Sequence, residues 1–293
     1  MRPLMVVYPG NESLGRLLAE TLGADTASLT MRQFPDEETY VRLAASCEGR
    51  DVIVVATLDR PNAKVLPLLF LVDLAHELGA RRVILVAPYL AYMRQNTRFK
   101  PGEAVTSRSF AKLLSGSIDA LVTIDPHLHR YEGLAELYSV PAQVVHAAPL
   151  MAEWIRAQIE RPLLVGPDSE SEQWVADVAR RASAPYVVLD KTRRGDRDVE
   201  VSVPDVAHWR NHQPVLVDDI ISSARTMIET VNHLKRTALP APICVGIHAV
   251  FAGDAYRAMR AAGAGRVATT NTITHESNQI DVSAALAAAV GRA

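Results

Sequence analysis

The residues best suited to chemistry lie in one segment, Pro214 to Thr226. An apolar run there leads into two consecutive aspartates, Asp218 and Asp219, then into a hydroxyl-rich turn and a helical pattern from Met227. Backbone N–H groups at a helix N-terminus, with serine and threonine hydroxyls, can bind a phosphate monoester. The paired carboxylates would then face sugar hydroxyls. A plain strand and capped turn would explain the hydroxyls but not the two acids, so the segment predicts a site for a phosphorylated sugar.

The surrounding pattern predicts an α/β protein. Short β-branched runs such as Val83 to Ala87 alternate with amphipathic segments such as Arg108 to Leu114, as expected for buried parallel strands joined by helices. A length of 293 residues allows about two domains. We place the boundary near Val145 to Leu150, which divides the chain into residues 1–146 and 147–293. An acid directly follows one strand pattern in each half, which suggests a duplicated architecture.

The composition excludes several classes of partner. The 31 basic and 33 acidic side chains leave a net charge of −2, so there is no general positive field for nucleic acid or an anionic membrane. Cys47 and Cys244 lie far apart without a metal-binding or disulfide pattern. No apolar run approaches the roughly twenty residues that span a bilayer. We therefore expect a cytoplasmic protein that binds neither nucleic acid nor membrane.

The segment ending at Thr226 resembles the phosphoribosyl pyrophosphate-binding motif of the type I phosphoribosyltransferase fold. That motif has an apolar strand, Asp-Asp, two apolar residues and a Thr- and Gly-rich loop. Here Ser223 stands where Thr is commoner and Ala224 where Gly is common. The resemblance implies that ribose 5-phosphate binds to Asp218, Asp219, Ser222, Ser223, Ala224, Arg225 and Thr226.

Two segments of the first half are similar to ribose-phosphate pyrophosphokinases. Phe34 to Val41 resembles that family's Phe-x-Asp-Gly-Glu-x-x-Val segment, with Glu37 in place of Gly, and Pro88 to Asn96 resembles its Pro-Tyr-x-x-Tyr-x-Arg-Gln-Asp stretch, with Asn96 in place of Asp. The resemblance implies that Phe34 stacks on adenine and that Asp36 and Glu38 accept its amino protons. Arg94 and Gln95 would bind the phosphates and the nucleotide.

The same family comparison implies a metal site and a cationic loop. His127, in Asp125-Pro126-His127, and Asp168, after Pro167, match its magnesium ligands, although Glu170-Ser171 replaces the usual Gly-Gly. Mg²⁺ takes few protein ligands and keeps water and phosphate oxygens. Lys191 and Arg193 resemble the Lys-x-Arg at the base of the family's flexible catalytic loop, where two cations would stabilise the charge that develops in the transition state.

The resemblance runs nearly end to end and implies a ribose-phosphate diphosphokinase that uses ATP, ribose 5-phosphate and Mg²⁺. It implies two phosphoribosyltransferase-like domains, each a mainly parallel sheet flanked by helices, with the active site at their interface, and a homo-oligomer between dimer and hexamer. Two alternatives stay open. A phosphoribosyltransferase would explain the Asp-Asp motif but not the two first-half segments. A catalytically inactive regulatory paralogue would explain Glu170, Ala224 and Asn96.

Overall fold

Two parallel β-sheets with the same strand order form the framework of the protein. A computed structural model describes all residues except 129, 168–170, 194–198 and 203–205, and describes only the backbone of 190–193, 199–202, 206 and 207. The elements around the first sheet are β1 (Leu4–Val7), α1 (Glu12–Leu22), β2 (Asp25–Thr26), β3 (Ser28–Gln33), β4 (Thr39–Ala44), β5 (Asp51–Val55), α2 (Val65–Glu77), β6 (Arg82–Ala87), α3 (Thr106–Ser115), β7 (Ala120–Ile124) and β8 (Ala142–Val145).

The elements around the second sheet follow in the same manner. They are α4 (Ala148–Gln158), β9 (Pro162–Gly166), α5 (Glu172–Ala182), β10 (Tyr186–Val188), β11 (Asp190–Arg193), β12 (Val199–Ser202), β13 (Gln213–Ile220), α6 (Arg225–Leu234), β14 (Ile243–His248), α7 (Ala255–Ala262), β15 (Arg266–Thr270) and β16 (Asn278–Ile280). A last helix, α8 (Ser283–Val290), ends the series.

The two sheets share one topology. The first has the order β2-β1-β5-β6-β7-β8 and the second β10-β9-β13-β14-β15-β16, and the strand pairs within each are parallel. In each, an antiparallel hairpin, β3–β4 or β11–β12, is inserted at the same point of the chain order. The strand order reverses beside β1 in the first sheet and beside β9 in the second. Such switch points are where open α/β sheets bind ligands.

This repeat corrects one detail of the predicted duplication. The acids that suggested it follow β7 and lie in β13, whereas by position in the sheet β13 corresponds to β5 and β7 corresponds to β15. Asp125 and Asp218 therefore do not occupy equivalent strands. An acid near the end of a strand pattern therefore does not reveal which strand of the repeat carries it.

The central strands are buried because helices cover both faces of each sheet. Val52 to Val55 of β5 and Val215 to Val217 of β13 are at most 2% exposed, which accounts for their uninterrupted apolar sequence. The core of the first unit joins β5 to Leu68, Leu71 and Val72 of α2 and to the buried face of α3. Within the described part of the chain, no helix is both long and apolar enough to cross a membrane.

The end of the chain returns to the first sheet. The first compact unit consists of Met1–His146, Thr272–Thr274 and Val282–Ala293, and the second of Ala147–Asn271 and His275–Asp281. Sequence-based boundaries of 1–146 and 147–293 assigned the final segment to the second domain. In the structure α8 packs on α1 and on β6, β7 and β8 instead. An apolar eight-residue helix pattern carries no information about which sheet it covers.

A carboxylate at the start of β5 joins two strands of the first unit. Asp51 accepts two hydrogen bonds from Arg81, of 2.8 Å from Nε and 2.6 Å from Nη2, and one of 2.9 Å from Nη2 of Arg82. The hydrogen bond from Arg81 is the largest cause that lowers the pKa of Asp51 to about 2. Because this pKa is depressed in the folded state, the stabilisation is complete above about pH 4 and is lost as the pH falls towards 2.

We expect Asp51→Asn to lower the free energy of unfolding by about 1–2 kcal/mol at pH 7, a value reduced for the solvent exposure of Arg81. Urea unfolding of both proteins between pH 7 and pH 3 would measure this, and the difference should shrink below pH 4. Asp73→Asn removes an exposed carboxylate of α2 and serves as the control. A difference that stays constant with pH would contradict the assigned ion pairs.

Candidate active site

The two aspartates lie inside β13 rather than after it. Asp218 and Asp219 are half-buried, and Asp218 is opposite Gly246 of β14. The N–H of Asp219 donates to Oδ1 of Asp218 at 3.0 Å. Burial, with a further contribution from the negative charge of Asp218, raises the pKa of Cys244 to about 12. Because neighbouring side chains of a strand point to opposite faces, the two carboxylates have different surroundings.

The loop after β13 leads directly into the N-terminus of α6. Ser223 and Arg225 are exposed, Ser222 and Thr226 are half-buried, and α6 begins at Arg225. The first N–H groups of a helix have no partner within the helix, and its dipole favours an anion at this end. The structure thus brings the predicted phosphate-binding residues together in one loop, with hydroxyls and backbone donors that could bind a phosphate.

Ala224 stands where the family's motif commonly has glycine, and it adopts the left-handed conformation that glycine favours. Its φ is 56° and its ψ is 12°, and its carbonyl accepts the N–H of Ile228 at 2.8 Å. A non-glycine residue in this region is destabilised by about 1–2 kcal/mol. Glycine avoids this strain, but it loses more conformational entropy on folding, which offsets part of the gain. The loop therefore keeps the glycine conformation without the glycine.

We expect Ala224→Gly to raise the free energy of unfolding by about 0.5–1 kcal/mol, because it relieves the left-handed strain. Urea unfolding of both proteins would measure the gain. Ala152→Gly, at a buried position inside α4, is the matched control and should instead destabilise by about 1 kcal/mol. Equal losses in the two variants would contradict the left-handed assignment at Ala224.

The adenine-binding candidates of the first unit lie in the turn between β3 and β4. The N–H of Phe34 donates to the carbonyl of Glu38 at 2.7 Å, and Oδ1 of Asp36 accepts the N–H of Glu38 at 3.4 Å. The Phe34 side chain is 41% exposed, and the guanidinium of Arg32 lies 4.6 Å from its ring centroid. Glu37, which replaces the family's glycine, has a φ of 69°. The turn presents an accessible aromatic ring beside carboxylates.

Arg94 and Gln95 lie in the loop that follows β6. Arg94 is exposed and Gln95 is partly exposed, and the carbonyl of Gln95 accepts the N–H of Ser107 in α3 at 3.4 Å. Asn96 is only 7% exposed, and its carbonyl accepts the hydroxyl of Tyr131 at 3.0 Å. A neutral amide avoids the cost of burying a charge at this position. The guanidinium of Arg94 is therefore presented to solvent on an anchored loop.

The predicted metal ligand His127 lies beyond the end of β7 and is half-buried. Two residues earlier, Oδ1 of Asp125 lies 2.8 Å from Nδ1 of His146. The other predicted ligand, Asp168, lies outside the described residues. Among the residues that the structure describes, no three His, Cys, Asp or Glu side chains are grouped closely enough to hold a metal ion.

Lys191 and Arg193 belong to a strand rather than to a loop. They lie in β11, where Lys191 is opposite Val201 and Arg193 opposite Val199 of β12. The residues between these strands, 194–198, are outside the described part. The predicted flexible loop therefore begins from a paired hairpin, at the same place in the repeat as the hairpin that carries Phe34.

Comparison with known proteins agrees with this architecture. Residues 4–117 match the family model described as the N-terminal domain of ribose phosphate pyrophosphokinase, and residues 133–285 match the phosphoribosyl transferase domain. A ribose-phosphate pyrophosphokinase of Methanopyrus kandleri is 31% identical over 290 residues, which cover 98% of each chain. This chain belongs to the ribose-phosphate pyrophosphokinase family. A Saccharolobus solfataricus protein of the same name is 29% identical over 97% of this chain and 99% of its own.

A solved structure confirms the predicted fold of this family member. The crystal structure of phosphoribosylpyrophosphate synthetase from Mycobacterium smegmatis has a TM-score of 0.86 at 23% identity, with 99% of this chain and 98% of that chain covered. The predicted α/β class, with two phosphoribosyltransferase-like domains built on mainly parallel sheets, is therefore correct. At this identity the likeness is evidence for the fold alone.

The chain segments at the two switch points of this pyrophosphokinase family member differ. In the second unit, β13 leads into the hydroxyl loop. In the first, the buried side chain of Asn11 bridges the ends of β1 and β5: its Oδ1 accepts the N–H of Thr57 at 3.0 Å and its Nδ2 donates to the carbonyl of Tyr8 at 3.1 Å. Thr57 Oγ1 also donates to the carbonyl of Thr272 at 2.7 Å. The bond between Asn11 and Thr57 could not be predicted from the sequence, because the two residues lie far apart along the chain.

The candidate residues of this family member divide between the units. Phe34, Asp36, Glu38, Arg94, Gln95 and His127 lie in the first unit, and Lys191, Arg193 and the residues from Asp218 to Thr226 lie in the second. Arg94, Gln95 and His127 follow the neighbouring parallel strands β6 and β7, so they lie towards the same edge of the first sheet. The structure brings together the residues from Asp218 to Thr226, called the sugar-phosphate loop below after their predicted ligand, and, separately, those of the turn from Phe34 to Glu38.

Proposed function

We propose that this chain is a ribose-phosphate diphosphokinase. It transfers the β,γ-diphosphoryl group of ATP to the anomeric hydroxyl of ribose 5-phosphate and releases AMP and phosphoribosyl pyrophosphate. The observation that carries the proposal is the loop from Asp218 to Thr226, where two half-buried carboxylates precede a hydroxyl-lined helix N-terminus at the switch point of the second sheet. Membership of the family, at 31% identity to a named pyrophosphokinase over 98% of the chain, supports it.

Each group of residues has a separate task in this reaction. The phosphate of ribose 5-phosphate binds the hydroxyls and N–H groups from Ser222 to Thr226, and Asp218 and Asp219 bind the sugar hydroxyls. Phe34 stacks on adenine, Asp36 and Glu38 accept its amino protons, and Arg94 and Gln95 bind the rest of the nucleotide. Lys191 and Arg193 stabilise the negative charge that develops as the β-phosphorus is attacked. Most of the catalysis is then positioning and electrostatics.

We propose Mg²⁺ as the cofactor, with His127 and Asp168 as its protein ligands. An ion that keeps water and phosphate oxygens needs few protein donors. When bound, Mg²⁺ would neutralise part of the triphosphate charge. We further propose a cytoplasmic homo-oligomer between dimer and hexamer, on the basis of the family resemblance.

One assay separates this proposal from its two alternatives. Purified protein is incubated with ATP, Mg²⁺ and ribose 5-phosphate, and AMP is measured by chromatography, with parallel reactions that lack the sugar or contain EDTA. We expect AMP only when sugar and Mg²⁺ are both present. ATP binding without sugar-dependent AMP would favour the regulatory paralogue. Consumption of phosphoribosyl pyrophosphate with an added nucleobase, without AMP formation from ATP, would favour a phosphoribosyltransferase.

A further inference from the structure

A turn after β14 holds the backbone of the sugar-phosphate loop. This turn, His248 to Ala252, is called the Phe251 turn below. The carbonyl of His248 accepts the N–H of Ile221 at 3.0 Å, and the N–H of Phe251 donates to the carbonyl of Ile221 at 2.9 Å. The N–H of Ala252 donates to the carbonyl of Ser222 at 3.1 Å. Three consecutive backbone bonds therefore join the turn to the start of the loop.

These bonds determine which way the next N–H groups point. In a trans peptide the N–H points opposite to the C=O of the same unit. Because the carbonyls of Ile221 and Ser222 point towards the Phe251 turn, the N–H groups of Ser222 and Ser223 point away from it. Consecutive N–H groups that point the same way form a concave site for an anion. The orientation of the predicted phosphate donors is thus set by the turn.

The turn itself is strained and is held by an aromatic cluster. Phe251 has a φ of 33°, which is rare for a bulky residue, and its side chain is 6% exposed. Its ring centroid lies 5.3 Å from that of Tyr256 and 4.5 Å from that of His275. A backbone in such a region persists only when the surrounding packing enforces it. The cluster supplies that packing.

His275 is fixed in turn by hydrogen bonds. Its Nδ1 accepts the N–H of Ser277 at 3.1 Å and lies 2.8 Å from the hydroxyl of the same serine, which lies 2.8 Å from the hydroxyl of Thr269 in β15. Burial lowers the pKa of His275, against a smaller opposing effect of Glu276, which favours the neutral ring that can accept these bonds. The imidazole face is therefore held against Phe251.

A second contact fixes the loop from the sheet side. A Cβ on Gly246 would lie 2.5 Å from Cδ1 of Ile221, so glycine at this position of β14 is what lets the Ile221 side chain pack on the strand. Ile221 is completely buried. The start of the loop is thus held by its side chain on one side and by the Phe251 turn on the other.

We propose that Phe251 and His275 are positioning residues for the phosphate of ribose 5-phosphate. They hold the Phe251 turn in its strained form, and the turn orients the N–H groups of Ser222 and Ser223 towards the bound phosphate. Neither side chain needs to touch the substrate. This inference rests on the proposed function, because it assigns the loop to ribose 5-phosphate.

The test compares KM values for the two substrates in Phe251→Ala and His275→Ala. We expect the KM for ribose 5-phosphate to rise about 10-fold in both, with the KM for ATP changed less than 2-fold. His275→Asn, whose carbonyl oxygen can still accept from Ser277, should recover part of the loss. Met259→Ala, which removes a buried side chain of α7 in the same unit, is the control and should leave both KM values unchanged.

Binding measured without turnover keeps the inference separate from the proposed function. The thermal shift on adding ribose 5-phosphate alone should be clear in the unmodified protein and in Met259→Ala, and smaller in His275→Ala. His275 is half-buried, so its replacement by alanine should disturb folding less than that of the buried Phe251. An undiminished shift in His275→Ala, or equal rises of both KM values, would overturn the positioning role. Binding of ribose 5-phosphate without AMP formation would overturn the proposed reaction but not the role of the turn. If the unmodified protein did not bind ribose 5-phosphate, both the reaction and the role of the turn would be overturned.

Discussion

Lys191→Ala should lower turnover by a factor of about 10²–10³ while ATP still binds. Transfer of a diphosphoryl group leaves little covalent work to the protein, so a charge that meets the developing negative charge is among its largest contributions. Removing one such preorganised donor from an enzyme typically costs a factor of this size. The measurement is the initial rate of AMP formation at saturating substrates, together with ATP affinity by calorimetry.

The location of Lys191 makes this prediction specific. It lies in β11, paired with β12, so alanine replaces it within a strand and does not alter a turn. Lys112→Ala, at an exposed position of α3, removes a lysine of the same type and should leave the rate unchanged. Normal turnover in Lys191→Ala would remove the β11–β12 hairpin from the mechanism. Weaker ATP binding with normal turnover at saturating ATP would assign Lys191 to ground-state binding instead.

The sheets could be predicted because their strands are buried on both faces. Val83 to Ala87 was predicted as a strand and forms β6 from Arg82 to Ala87, and the predicted run of Pro214 to Val217 lies inside β13. The hairpin β3–β4 was not predicted. From Ser28 to Arg32, polar and apolar residues alternate, which is a strand signal, but most of the hairpin is exposed or half-buried, so no continuous apolar run marks it.

The sugar-phosphate loop could be predicted because its parts are consecutive. A strand, two acids, hydroxyls and a helix start occupy neighbouring positions, and local chemistry determines how they are arranged. The parts that orient this loop could not be predicted, because their partners are distant in sequence. Ile221 depends on Gly246 and Phe251, and Phe251 depends on His275. Asn11 likewise meets Thr57 only after β1 and β5 have paired.

The second large effect on activity is expected from substitutions of the two aspartates of β13, Asp218 and Asp219. Asp218→Asn and Asp219→Asn should each lower kcat/KM for ribose 5-phosphate by a factor of about 10–100. The asparagine amide keeps the shape of the carboxylate but not its charge, and a hydrogen bond to a charged group contributes about 1.5–3 kcal/mol. The KM for ATP should change little. Glu229→Gln, an exposed position on α6 one turn beyond the loop, is the control.

The two substitutions should differ in a second property, because neighbouring residues of β13 point to opposite faces. The charge of Asp218 helps to raise the pKa of Cys244 in the folded protein, so Asp218→Asn should lower that pKa, whereas Asp219→Asn should leave it unchanged. A pH titration of the Cys244 side-chain chemical shift by NMR, on folded protein, would measure this. If both variants lost sugar affinity but changed the pKa of Cys244 equally, the carboxylates would share one environment, and the separate roles inferred from strand alternation would be wrong.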